Sequence, residues 1–107
     1  MTVTVEVSEN IVRQLEALSV ENGQDIDQKI GDLLAAEYRR RLARYSITDR
    51  QLTNKYGMDF AEFDRLAVVK QHNYSWEVES DAMAWETAVD GIVTVTRQLR
   101  ELLYGRV

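Results

Sequence analysis

The chain has 107 residues, 13 Lys and Arg against 18 Asp and Glu, a formal net charge of -5 and no cysteine. That length suits one domain, or a small dimerisation domain with an appendage, and the missing thiols exclude disulfides and thiolate metal sites. The acidic balance argues against broad, nonspecific nucleic-acid affinity and fits a basic protein partner. No apolar run approaches 18 residues and no basic-then-apolar leader is present, so the expectation is a cytoplasmic protein with no membrane contact.

Residues 1–8 alternate, with Val3, Val5 and Val7 on one face and Thr2, Thr4 and Glu6 on the other. This period of two predicts a half-buried strand. No second strand follows in the chain, so its partner is expected to be the same strand of another copy. The fold class expected is therefore mainly α, with an N-terminal β-strand forming an intermolecular antiparallel ribbon, followed by helices.

Ser8 is an N-cap for a helix to about Glu21, striped by Ile11, Leu15 and Leu18. Asn22 and Gly23 stop it. Asp25 caps the next helix, whose stripe is Ile26, Ile30, Leu33, Leu34, Tyr38, Leu42 and Tyr45. Thr48 with Gln51 reads as a capping box opening a separate short helix to Tyr56 and Gly57. Asp59, with Glu62 three residues on, opens another to about Lys70, with Phe60, Phe63, Leu66 and Ala67 as its apolar side. Residues 71–75 read as a loop. The last helix spans about Trp76 to Tyr104, and Val78, Ala82, Trp85, Val89, Ile92, Thr96, Leu99 and Leu103 give it a heptad-like stripe. Two regions result: 1–45, a dimerisation domain, and 46–107, a helical partner-binding region.

Some features admit more than one reading. Arg39, Arg40, Arg41 and Arg44 are a solvated helix face, a phosphate contact, or partners for the acidic C-terminal segment. Residues 48–70 have the length of a helix-turn-helix, but Asp59, Glu62 and Asp64 make the second helix acidic, which favours packing against a partner or within the chain over DNA reading. Trp76 and Trp85 are core anchors or partner contacts. His72, the single histidine, is expected to face solvent. No Ser/His/Asp set, phosphate-binding loop or ligand cluster is assignable, so no enzymatic activity, metal or cofactor is expected.

The segment Thr2 to Val7, the helix from Asn10 to Glu21, the turn at Asn22 and Gly23, and the helix opened by Asp25 to Ile30 together resemble the ribbon-helix-helix family. The resemblance implies a dimer whose paired strands lie in the DNA major groove. Thr2, Thr4 and Glu6 would then face bases, and the backbone amides near Asp25 and Ile26 a phosphate. Lys55 to Phe63 and Ser75 to Glu86 are similar to the tails of antitoxins from prokaryotic toxin–antitoxin pairs. That likeness implies neutralisation of a basic toxin by Phe60, Phe63, Trp76, Glu77, Glu79, Asp81, Trp85 and Glu86, with autoregulatory binding of operator DNA through the ribbon. A stand-alone transcriptional regulator and a structural adaptor are the alternatives.

Overall fold

Caps and glycines set the helix boundaries in the computed structural model. It describes residues 1–105, and residues 20–22 by their backbone alone. Five helices follow one another: α1 (Glu9–Asn22), α2 (Ile26–Tyr56), α3 (Phe60–Arg65), α4 (Val68–Gln71) and α5 (Trp76–Tyr104). The Ser8 hydroxyl accepts from Ile11 N at 3.3 Å, Asp59 from Glu62 N at 2.9 Å and Ser75 from Val78 N at 3.4 Å. Asp25 and Gln28 form a reciprocal box, each side chain accepting from the other's backbone N–H. Gly23 and Gly57 take the left-handed conformation, with φ of 63° and 69°, which ends α1 and α2 at little steric cost.

The mainly α expectation holds, and the ribbon does not. Residues 1–8 form no strand, and no strand occurs among the described residues. The alternation is present, but no strand lies beside it to take its N–H and C=O groups. Val3 stands 83% exposed, and Val5 and Val7 are exposed with it. Thr2, Thr4 and Glu6 are exposed like the valines and have no pleated face from which to read bases.

Two further boundaries differ from expectation. The Thr48 capping box does not open a new helix: α2 runs straight through it, and the Thr48 hydroxyl bonds back to Arg44 O at 3.4 Å. Leu42, Tyr45, Asp49, Leu52 and Tyr56 continue one stripe at spacings of three and four, so packing favours an unbroken helix. Conversely, the helix expected from Phe60 to Lys70 breaks at Leu66 and Ala67, where Ala67 takes φ 51°. Phe63 and Val68 are both buried in the same core. Five residues apart on one helix they would point about 140° from each other. The break brings both to one side.

The chain divides into two units, residues 1–36 and 37–107, parting inside α2 rather than at residue 45. In the second unit, α2 and α5 run antiparallel. Tyr56 and Lys55 meet Asp81, Asp49 meets Trp85, and Tyr45 meets Gly91. A Cβ on Gly91 would lie 2.5 Å from the Tyr45 ring, so this close approach requires glycine. α3 and α4 pack on α5, closing a core of Leu52, Phe63, Val68, Val78 and Trp85.

The first unit is built differently. Its described buried residues are Ser19, Gly31 and Ala35, all small. The Ser19 hydroxyl donates to Leu15 O at 2.7 Å. Ile11, Leu18, Ile26, Ile30, Leu33 and Leu34 are all exposed. Charge divides at the same boundary. Residues 1–36 hold two basic and seven acidic residues, and residues 37–107 hold eleven of each. The whole net charge of -5 therefore resides in the first unit.

Candidate functional site

The residues expected to bind a partner separate into three groups. Phe60, Phe63 and Trp85 belong to an aromatic cluster with Tyr56. The Trp85 ring centroid lies 5.0 Å from Phe63, 5.4 Å from Phe60 and 5.8 Å from Tyr56. Tyr56 meets Phe63 edge-on at 4.9 Å, a geometry aromatic quadrupoles favour. Trp85 is 0% exposed. Its indole Nε1 donates to Asp49 Oδ1 at 2.8 Å, which satisfies a donor that would otherwise be buried without a partner. Phe63 and Trp85 hold the fold, and Phe60 is half-buried beside them.

Glu77 and Asp81 form a clamp between α5 and α2. Lys55 Nζ donates to Glu77 Oε1 at 2.7 Å and to Asp81 Oδ2 at 2.6 Å, and the Tyr56 hydroxyl donates to the same Asp81 oxygen at 2.6 Å. Burial pushes the Asp81 carboxyl up, but the bonds from Lys55 and Tyr56 outweigh it and leave it below its ordinary value. Burial, reinforced by the bond to Asp81, pushes the Tyr56 phenol up to about 12. The bonds to Asp81 and Glu77 raise Lys55 above its ordinary value.

Trp76, Glu79 and Glu86 remain outside the core. They lie on the side of α5 turned away from Val78, Trp85, Ala88 and Val95, the buried positions of that helix. Trp76 is 79% exposed and Met83 66%. With Asp90 they form a row at 76, 79, 83, 86 and 90, spaced by three and four. No Lys or Arg occurs anywhere from residue 71 to residue 96. Shallow grooves flank this row. One, of about 350 Å³, is lined by Arg44, Tyr45, Thr48, Met83 and Thr87. The other, of about 290 Å³, is lined by Phe60, Lys70, Tyr74 and Glu86.

The expected DNA-contacting residues are not drawn together into a site. Thr2, Thr4 and Glu6 are in an irregular segment, and the amides of Asp25 and Gln28 are each taken by the other's side chain. The arginine cluster is a solvated helix face. Arg40 and Arg41 both bond Glu37, at 2.6 Å and 3.0 Å, and hold its carboxyl down to about 2. Arg44 lies over the Tyr45 ring at 6.0 Å. His72 is exposed, and no group of His, Asp or Glu suited to a metal occurs among the described residues.

Sequence reasoning missed Asp49 and Gly91. Asp49 is one acid among many, and its role appears only once Trp85 faces it. Gly91 carries no turn signal because it sits inside a helix. Met83 and Asp90 were legible as members of the row on α5 had its outer face been read along with its inner one.

No described helix is long and apolar enough to cross a membrane. Comparison with known proteins gives no match to a family model, to a curated protein or to a solved structure.

Proposed function

We propose that the protein is an antitoxin-like homodimer, a cytoplasmic protein without catalytic activity that neutralises a partner protein by covering it. The observation that carries this reading is the unmet apolar surface of residues 1–36. Nine aliphatic side chains, from Val3 to Leu34, are exposed there, while the described residues that are buried are small. Apolar surface of that extent on a short unit marks a protein interface. A unit of fewer than about 40 residues also needs oligomerisation, a metal or disulfides to hold together. The chain has no cysteine and no metal-holding group among its described residues, which leaves a protein surface as the means, and a second copy is always present at matching concentration.

The neutralising role falls to residues 37–107, which hold a core of their own and leave the outer face of α5 free. DNA reading by a ribbon is no part of this proposal, since residues 1–8 form no strand and the -5 net charge of residues 1–36 would repel phosphate.

Sedimentation of the purified chain is expected to give a dimer, and Leu33→Asp to give a monomer that keeps its helical signal. Because each first unit carries the same negative charge, added salt should tighten the dimer rather than loosen it. Co-expression with the product of the adjacent reading frame should restore growth and co-purify both chains. A monomer at every concentration overturns the dimer. Failure to rescue overturns neutralisation and leaves the structural adaptor.

A further inference from the structure

From the row along the outer side of α5, we infer that this face docks a basic amphipathic helix. Trp76, Glu79, Met83, Glu86 and Asp90 recur at spacings of three and four, which places them on one face of the helix. The row extends about 21 Å, close to four turns. The row mixes two chemistries: an exposed indole opens it, an exposed thioether stands between Glu79 and Glu86, and Asp90 closes it. None of the three carboxylates is in an ion pair, whereas Glu77 and Asp81, on another face, are held by Lys55. No cation occurs from residue 71 to residue 96, and Arg44 and Lys70 line the flanking grooves without pairing to these acids, so the row sets unpaired carboxylates beside apolar anchors.

That pattern selects its occupant by charge. A second copy would bring the same carboxylates against these, and nucleic acid would bring phosphates. A helix with Lys or Arg flanking an aliphatic stripe satisfies both halves of the pattern. Its stripe covers Trp76 and Met83, and its cations meet Glu79, Glu86 and Asp90. Trp and Met are suited to the anchoring role, the first for its large contact area and the second for its adaptable, polarizable side chain. The inference gives the partner of the neutralising reading a chemistry, and rests on that reading only for the source of the helix.

The test uses the full-length chain and a synthetic helix of about 15 residues, Leu on one face and Lys on the other, long enough to span the row. Trp76 is exposed and Trp85 buried, so fluorescence reports this face directly. Binding is expected to shift Trp76 emission to the blue, protect it from acrylamide and weaken as salt rises. Glu79→Lys with Glu86→Lys should reduce affinity by about tenfold or more, close to 1.4 kcal/mol. The same pair changed to Gln should lie between. Trp76→Phe should remove the spectral response, and Leu33→Asp should leave affinity unchanged.

Equal binding of a Leu/Glu helix, or unchanged affinity in the double Lys variant, overturns the inference. Loss of binding in Leu33→Asp moves the site to residues 1–36 and overturns it also. Protection of Trp76 that rises with protein concentration alone identifies a second copy as the occupant instead. A chain that binds the Lys helix but does not restore growth keeps this inference and loses the neutralising reading. Rescue without binding does the reverse.

Discussion

Residues 1–36 and 37–107 use the same secondary structure to opposite ends. The second unit gathers Trp85, Phe63, Leu52 and Val78 into one core while leaving Trp76 and Met83 outside it, and its eleven acids and eleven bases cancel. The first unit turns Ile11, Leu18, Ile30 and Leu33 outward, buries small residues and carries the entire net charge. A helical stripe of spacing three and four is therefore no guide to which surface it will meet. In α5 the stripe from Val78 to Val89 is consumed within the core. In α1 and at the start of α2 it is left exposed.

The largest test of that contrast is a pair of truncations. Trp85→Ala removes the only large side chain that is fully buried among the described residues and should cost about 3–5 kcal/mol in chemical denaturation. Leu33→Ala, on an exposed stripe, should change the stability of the monomer by no more than about 0.5 kcal/mol and act instead on dimer dissociation. Similar losses in both would mean that residues 1–36 hold a core of their own, and the contrast would fail.

Asp49→Ala sharpens the description of the second unit. It leaves the Trp85 indole N–H, now bonded at 2.8 Å, buried without an acceptor, at an expected cost of about 1–3 kcal/mol. Asp49→Asn keeps an acceptor and should recover most of the loss, which separates the bond from the charge.

The helix starts at Ser8, Asp25 and Asp59, the stops at Gly23 and Gly57 and the long C-terminal helix were legible because each rests on a local signal. The breaks were not. Thr48 with Gln51 is a sound capping box by composition, yet the stripe from Leu42 to Tyr56 outweighs it. Ala67 carries no turn signature, and its left-handed φ answers to Phe63 and Val68, which are buried together in the core. The strand was misread for a related reason. Alternation gives a segment two faces, but only a pairing strand makes it a strand, and pairing is not local. Of the expected contact surface, Trp76, Glu79 and Glu86 remain on the outside. Phe63 and Trp85 went to the core; the stripe through Val78, Ala82 and Trp85 already set Trp85 apart from Trp76, and reading both as partner contacts overrode that signal.

The Lys55, Glu77 and Asp81 clamp makes a smaller, pH-dependent contribution. Asp81 titrates below its ordinary 3.8 in the folded chain, so its share of stability is complete above that value and is lost as pH falls through the lowered one. Tyr56 titrates at about 12 rather than 10.0, so its share is complete below 10.0 and is lost as pH rises toward 12. Asp81→Asn should cost about 1 kcal/mol at neutral pH. The gap from the parent chain, followed by the denaturation midpoint, should shrink at both extremes. A gap constant from acid to alkali would remove the clamp as a cause.

The smallest effect is the most specific to the antiparallel pair. Gly91→Ala gains about 1 kcal/mol of helix propensity but drives a methyl into the Tyr45 ring, which lies 2.5 to 2.8 Å from the new Cβ. Overpacking of that kind costs about 1–3 kcal/mol, so the single change should be neutral to destabilising. In a Tyr45→Ala background the clash is gone and only the propensity remains, so the same change should stabilise. The sign reversal between the two backgrounds, measured as a double-mutant cycle, would show that the glycine is there for the ring. An equal effect in both would mean that Tyr45 swings aside at no cost, and that α2 and α5 are held apart by Asp49 and Trp85 instead.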